Sequence, residues 1–498
     1  MKLLDLIEVL FDKEVVGELN STIDITSIVN DTRKVKKDSC FIAIRGERFD
    51  GHSKLKEVEG KGACVAIVEE LPEDYQDYSM IFVKVPSTFR AQAMLANQYY
   101  NQPSTRLNLV AVTGTNGKTT TSSMISDLLM ILNHKTGLIG TMHYKVDQTF
   151  YPAVNTTPNA LELQKLYAEM LESGCNDAII EASSHALALG RLWYSDVDCA
   201  IYTNLSREHL DFHKTMEEYA FAKSLLFAQL GQRFYNGKPR LAIINKDDPY
   251  HSYMSRVTAA EILTYSIKDT DATIYATDIK SNEGKTFFKL TINNKTYETS
   301  IPMPGEYNVL NYLAAFLCLN KYYDYTPEEI INVTKEFKGV TGRMESINQG
   351  QNFQAIVDFA HTADALENVL NELKSQPHNR LIVLMGHSGG NRDSGARPGL
   401  GNVLFKYADE IVFTADNPRD EDVNKICKEM IGSHNEKPYS IIEDRKEAIS
   451  AMIQMANEGD ILLFAGKGGE SYQIIGEDKI PYNEAETVRY LLKKQRNS

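Results

Sequence analysis

Leu107-Asn-Leu-Val-Ala-Val-Thr-Gly-Thr-Asn-Gly-Lys-Thr-Thr120 joins an apolar run, a glycine-rich turn closed by Lys-Thr, and the start of a helical pattern. The run over 107–112 has the length and the Val/Leu content of a buried strand. Met124, Ile125, Leu128, Leu129 and Leu132 then recur at helical spacing. A turn in that position sits on a helix N-terminus, where free N–H groups and the helix dipole attract an anion. Gly114 and Gly117 let the backbone approach phosphate oxygens. Gly114, Thr115, Asn116, Gly117, Lys118, Thr119 and Thr120 are therefore the candidate phosphate-binding residues for ATP, with Lys118 reaching the β/γ-phosphates and the Thr119 hydroxyl a Mg²⁺ ion. Val112 stands where the longer form of this motif has its first glycine, so the loop is the shorter G-x-x-G-K-T form.

Downstream, Asp177-Ala-Ile-Ile-Glu-Ala-Ser-Ser-His-Ala-Leu187 reads as a strand that delivers Glu181 at its end. A carboxylate there, beside a phosphate loop, can hold Mg²⁺ directly or through water. His209-Leu-Asp-Phe-His213 has spacing that suits zinc or, through His209, a second Mg²⁺, and the residues alone leave that choice open. Thr215-Met-Glu-Glu218 has the form of a capping box opening a helix through Phe227. On that helix Lys223 lies four residues from Tyr219 and Phe227, so it projects from the apolar face. Such a lysine is paired, has a depressed pKa or is chemically modified, unless its stem snorkels to solvent. Thr286–Ile292 reads as one strand of an antiparallel hairpin, and Gly305–Asn311 leads into a helix on which Asn308 and Asn311 are either nucleotide contacts or caps.

From about residue 339, four strands over 354–359, 381–385, 410–414 and 460–464 alternate with helical patterns or glycine-rich loops. Polar groups cluster after them: Asp358 and His361, then 386–397, then Asp416-Asn-Pro-Arg419, then Gly466-Lys-Gly-Gly-Glu470. Before the phosphate loop, short apolar runs over 39–44, 63–68 and 80–85 precede a helical pattern over 88–99, and 101–105 reads as a linker. The expected fold is α/β in three domains: residues 1–105, a central P-loop-type parallel-sheet domain over 106–338, and a doubly wound, Rossmann-like domain over 339–498.

Composition narrows the class. The net charge of −14 argues against a nucleic-acid or membrane surface. Six scattered cysteines with no C-x-x-C exclude a zinc or disulfide framework and read as buried thiols. Asp5 and Glu8 interrupt the first apolar stretch, which spoils a signal peptide, so a cytoplasmic protein, and a monomer, are expected.

Together, Gly114-Thr-Asn-Gly-Lys-Thr119, Asn155-Thr-Thr-Pro158, Glu181-Ala-Ser-Ser-His-Ala-Leu187, His209-Leu-Asp-Phe-His213, Gly342-Arg-Met-Glu345, Asp358-Phe-Ala-His-Thr362 and Asp416-Asn-Pro-Arg419 resemble the Mur ligases. The resemblance runs through all three thirds of the chain in the family's order. It is strongest to the branch that adds a third residue to UDP-N-acetylmuramoyl-L-Ala-D-Glu. It implies an ATP- and Mg²⁺-dependent amide ligase that adds a diamino acid through an acyl phosphate. It assigns Lys118, Glu181, His209 and Lys223 to catalysis and, with Thr119, to the metals, Lys223 as a carbamylated lysine. It puts Asn308, Arg343, Asp358 and His361 near the nucleotide. Thr32, Asn155, Thr156, Thr157, Ser183 and Arg191 match positions that hold the UDP-linked substrate, in which the N-terminal domain takes part. Arg392, Asp416, Asn417, Arg419, Gly466 and Glu470 match the amino-acid pocket.

Arg419 has the form used for meso-diaminopimelate, whose second carboxylate a guanidinium grips with two hydrogen bonds. Its alternative partners are Asp420, Glu421 and Asp422, or solvent. The chain departs from the family's usual residues at Phe359 (Tyr), Ala363 (Pro), Gly469 (His) and Leu189 (Gln), and in the loop 386–398. L-Lysine as substrate, a Mur-like ligase acting on another carboxylate or amine, and a silent binding relative therefore stay open.

Overall fold

The computed structural model describes residues 1–19, 22–46, 49–231, 239–282, 284–390 and 394–496, so Arg392 lies outside the described residues. The phosphate-loop strand β1 (Asn108–Thr113) leads into helix α1 (Lys118–Ile131). β1 lies in the interior of an 11-stranded sheet, paired in parallel with β2 (Asp177–Glu181) on one side and β3 (Cys199–Tyr202) on the other. Successive side chains of β1 go to opposite faces. Val110 and Val112 pack under α1, and Leu109 and Ala111 pack on the other side with α2 (Met216–Ala228). Burial on both faces is why these strands read as unbroken apolar runs. Helix α3 (Glu306–Lys321) is apolar nearly all round because it is wedged between α1 and the sheet.

The sheet is parallel only in its middle. His143–Val146 and Thr149–Pro152 add an antiparallel hairpin at one edge, and Lys285–Ile292 and Lys295–Ile301 pair antiparallel at the other. The expected hairpin strand at 286–292 is thus the middle of a three-stranded meander with Ile274–Asn282. Thr215 caps α2 by accepting from the Glu218 backbone N–H at 3.1 Å. This is only half of the expected capping box.

The N-terminal sheet has five strands, in the order Glu14–Val16, Ile81–Lys84, Ala63–Val68, Ser39–Ile42, Ser27–Val29. The two edge strands have three residues each, too few to register as a periodic pattern. The helix Thr88–Tyr99 falls where expected. The stretch expected as a linker is ordered: Asn101 and Gln102 are left-handed, and Pro103–Arg106 form a 3₁₀ turn. Ser104 donates from there to the Tyr194 carbonyl at 3.3 Å.

The last sheet contains β4 (Gln354–Asp358), followed by α4 (Ala363–Ser375), then β5 (Leu381–Met385), β6 (Glu410–Phe413), β7 (Tyr439–Ile441) and β8 (Ile461–Ala465). They lie in the parallel order β4-β8-β5-β6-β7, with Glu345–Ser346 antiparallel at the β4 edge. The strands not anticipated are the two edges, β7 with three residues and Glu345–Ser346 with two. Among the described residues no helix is long and apolar enough to cross a membrane, and all six cysteines are free.

Arg445 holds this sheet to the C-terminal helix. It is fully buried, clasps the equally buried Glu484 with Nη2 at 2.6 Å, and donates to the Ala415 and Ala465 carbonyls at 3.1 and 2.8 Å. Removing one partner of a buried pair strands the other charge, so Arg445→Met is expected to cost about 3–5 kcal/mol, read as a lowered denaturant midpoint.

Candidate active site

The phosphate loop is locked by close backbone approach. A Cβ on Gly114 would lie 1.8 Å from Thr203 Oγ1, and one on Gly117 (φ +84°) 2.3 Å from Asn311 Oδ1. The exit of β3 laces to the loop: Thr203 Oγ1 donates to Asn116 O at 2.6 Å, and Asn116 N donates to Asn204 Oδ1 at 2.9 Å. Thr115 Oγ1 lies 3.2 Å from Tyr219 Oη. Thr120 is buried in the first turn of α1. Lys118 folds back over the loop, donating to the Gly114 and Thr115 carbonyls at 2.8 and 2.7 Å. Burial holds its pKa below the ordinary lysine value.

Glu181 ends β2 and is buried, which rules out the surface-carboxylate reading. It accepts from Thr119 Oγ1 at 2.9 Å, from Thr141 N at 3.0 Å and from Thr141 Oγ1 at 2.9 Å. The resulting pair of oxygen donors beside a phosphate loop suits Mg²⁺, a hard cation.

Lys223 does not snorkel. It is 1% exposed, donates to the Gly114 carbonyl at 2.7 Å and sits 4.5 Å over the Tyr219 ring. Burial and the neighbouring Lys118 charge drive its pKa well below the ordinary value, against an opposing pull from Glu208.

His209 and His213 diverge. His213 Nε2 lies 2.9 Å from Ser184 Oγ, whereas His209 is exposed, with Nε2 3.6 Å from Glu208. Among the described residues no cluster of three His, Cys, Asp or Glu side chains is poised for a metal. Glu208, which the sequence reading passed over, is the local counter-charge. Burial alone would raise its pKa, but His209, His361, Lys118 and Lys223 hold it below the ordinary value.

The C-terminal unit reaches the same loop. Arg343 Nη2 donates to Thr119 Oγ1 at 3.1 Å, and Asn116 Nδ2 donates to Asp364 Oδ2 at 3.0 Å. Asp358 holds the Arg343 turn by accepting from Met344 N at 2.6 Å and Ala360 N at 2.7 Å. Phe359 lies 4.5 Å from the Arg343 guanidinium and 4.6 Å from the exposed His361 ring. Asn308 and Asn311 lie inside α3 and cap nothing: Asn308 donates to Pro304 O at 2.7 Å, and Asn311 Oδ1 accepts from Thr121 Oγ1 at 3.3 Å.

Four of the residues matched to the UDP-linked substrate form a chain leading to Glu181. Thr157 Oγ1 donates to Glu181 O at 2.6 Å and to Ser183 Oγ at 3.2 Å, Arg191 Nη1 donates to Thr157 O at 2.9 Å, and Thr156 and Thr141 hydroxyls meet at 3.1 Å. Tyr144 Oη donates to Asn155 O at 2.6 Å alongside. Thr32 stands apart, in the turn Thr32–Lys34 of the N-terminal unit.

At the C-terminal ends of β5, β6 and β8 a second cluster forms. Asp416 accepts from Ser388 Oγ at 2.8 Å, and Asn417 Nδ2 donates to Glu470 at 3.2 Å. Gly466 (φ +96°) donates to the Asp358 carbonyl at 3.1 Å, tying this cluster to the Arg343 turn. Arg419 (φ +53°) donates to Gly389 O at 3.0 Å rather than to the acids that follow it. Glu421 is instead held by the fully buried Arg397 at 2.9 and 2.8 Å, and Asp422 caps the next helix. A Cβ on Gly469 would lie 1.8 Å from the Met142 methyl, the flexible end of a side chain that occupies this notch. Arg397 and the buried Lys467 were not anticipated, because a lone cation in a glycine-rich loop leaves no periodic signal.

Comparison with known proteins matches residues 112–319 to the Mur ligase middle domain and residues 342–468 to the Mur ligase, glutamate ligase domain. The chain is 42% identical over 489 residues to a UDP-N-acetylmuramoyl-L-alanyl-D-glutamate–2,6-diaminopimelate ligase of Bacillus cereus, covering 98% of each chain. It is 40% identical to the Listeria monocytogenes protein of that name, covering 96% of each. A solved structure of that name superposes with a TM-score of 0.69 at 30% identity over the whole of both chains. A folylpolyglutamate synthase of Mycobacterium tuberculosis, 15% identical with a TM-score of 0.62 over 76% of this chain and 92% of that one, shares the fold. With two family models matched in order and full-length relatives above 40% identity, the chain belongs to the Mur ligase family of ATP-dependent, amide-forming enzymes.

Proposed function

We propose that the protein joins meso-diaminopimelate to the D-Glu carboxylate of UDP-N-acetylmuramoyl-L-Ala-D-Glu, with ATP and Mg²⁺, in the cytoplasm. The observation that carries this is the meeting at Thr119 of Glu181, from the central unit, and Arg343, from the C-terminal unit. Phosphoryl transfer needs charge neutralisation and positioning more than a covalent nucleophile. The buried Lys223 and the half-buried Lys118 and Arg343 surround the loop, and Glu181 and Glu208 balance them.

The acceptor carboxylate takes the γ-phosphoryl group and releases ADP. The incoming amine then attacks the acyl phosphate, forming the amide and releasing phosphate and a proton. Thr119, Glu181, His209 and a carbamylated Lys223 would hold Mg²⁺, which supplies charge neutralisation at the phosphates. Lys223 is suited to carbamylation: an amine kept neutral by burial adds CO₂ at nitrogen and loses a proton, which turns a buried neutral amine into an anionic oxygen donor. In this reading residues 1–105 bind the UDP moiety with Thr32, and residues 106–338 bind ATP. The chain from Asn155 to Arg191 holds the acceptor beside Glu181. Residues 339–498 bind the amino acid. Arg419, which has no carboxylate partner among the described residues because Arg397 takes Glu421, is available for the second carboxylate of diaminopimelate.

Phosphate release from ATP, Mg²⁺ and the UDP-linked dipeptide is expected with meso-diaminopimelate and not with L-lysine or L-ornithine; release with lysine alone would remove the role given to Arg419. Arg419→Ala is expected to lower kcat/KM for diaminopimelate by about 10–100-fold, the loss of one charge-assisted contact, with the KM for ATP unchanged. Lys223→Ala should lower kcat by about 100-fold or more. Wild-type activity should fall in CO₂-depleted buffer and return with bicarbonate, and the variant should not respond.

A further inference from the structure

Lys467 is fully buried at the centre of the C-terminal cluster. Its ammonium lies 2.8 Å from Glu470 Oε2, 2.8 Å from Asn417 Oδ1 and 3.2 Å from Asp416 Oδ1. Three consequences follow from the donors and acceptors involved. Because Asn417 Oδ1 accepts from Lys467 and from Ile474 N at 2.9 Å, the Asn417 amide is oriented with Nδ2 toward Glu470. Both contacts to Glu470 fall on Oε2, which leaves Oε1 of this partly exposed side chain for a ligand. The cluster of Asp416, Glu470 and Lys467 carries one net negative charge, and the neighbouring Arg445 is already neutralised by Glu484. One exposed carboxylate oxygen, with one negative charge that no cation among the described residues compensates, is what an incoming ammonium requires.

We propose that Lys467 is a positioning residue for the amino-acid substrate: it fixes Glu470 so that one carboxylate oxygen meets the substrate's ammonium, and it acts through Glu470 rather than on the substrate. This deepens, and rests on, the ligase reading above. Lys467 reaches Glu470 across a glycine-rich turn in which Gly468 has φ +51°. Neither a surface lysine nor a bare buried pair would bridge three segments of chain, 416–417, 467 and 470–474, in this way.

Steady-state kinetics of the full-length enzyme test this with Lys467→Met, Glu470→Gln and the double variant. Lys467→Met is expected to raise the KM for the diamino acid by about tenfold or more, with the KM values for ATP and the UDP-linked acceptor within about twofold of wild type. In the Glu470→Gln background, which removes one of the two acids paired with Lys467 and so tolerates loss of the lysine charge, the second substitution should add less than about twofold. That comparison decides the matter even where the single Lys467 variant does not fold. An equal further rise in the Glu470→Gln background, an unchanged amino-acid KM, or parallel rises in all three KM values overturn the proposal. Absence of amino-acid-dependent phosphate release in the wild type overturns the ligase reading instead.

Discussion

The hydrogen bond from the Thr119 hydroxyl to Glu181 joins the first turn of one helix to the end of the neighbouring strand, and the site is assembled around it. It exists because β1 and β2 run parallel with Glu181 opposite Val112, one residue before the strand β1 ends. Parallel pairing puts both strand exits at the same end of the sheet, so the phosphate loop and the acid face each other without either leaving its element. β3 adds its own exit at that end and closes the loop from the other side through Thr203 and Asn204. The tightness is steric as well as polar, because only glycine fits beside Thr203 and Asn311.

Around that contact the site gathers three basic side chains, Lys118, Lys223 and Arg343. Lys118 and Lys223 share the Gly114 carbonyl as acceptor, and Arg343 stands over Phe359 with one hand on Thr119. Desolvation lowers the pKa of all three. Buried groups held in this way favour a polyanion, which returns the electrostatic stabilisation that water no longer supplies. Glu208 and Asp358 balance part of the charge, and Asp358 also fixes the backbone that carries Arg343.

The C-terminal pocket follows the opposite plan: each acid is assigned a cation before a substrate arrives. Arg397 takes Glu421, Arg445 takes Glu484, and Lys467 is shared by Asp416 and Glu470. Among the described residues Arg419 has no carboxylate partner and one negative charge near Glu470 has no paired cation, a pattern complementary to an amino acid with a second carboxylate. Met142 reaches from the central unit into the notch at Gly469, and Asn116 meets Asp364, so the central and C-terminal units touch beside the phosphate loop.

Much of this was legible in the chain itself. The apolar runs 107–112 and 177–181, the glycines and Lys118 between strand and helix, and the helical spacing that put Lys223 on an apolar face all rest on local periodicity and turn chemistry. The family's motifs, in order, pointed to the ligase. The three-residue edge strands, the half-formed capping box and the divergence of His209 from His213 were not legible, since each depends on neighbours supplied from elsewhere in the chain. The sequence by itself determined which residue types stand beside a phosphate loop and which strands are buried on both faces. Only the tertiary structure decided that Lys223 turns inward to Gly114, that Arg397 draws Glu421 away from Arg419, and that Lys467 sits among three partners. The physical reason is that the pairing of a buried charge is set by contacts between residues far apart in the chain, and no local period encodes them.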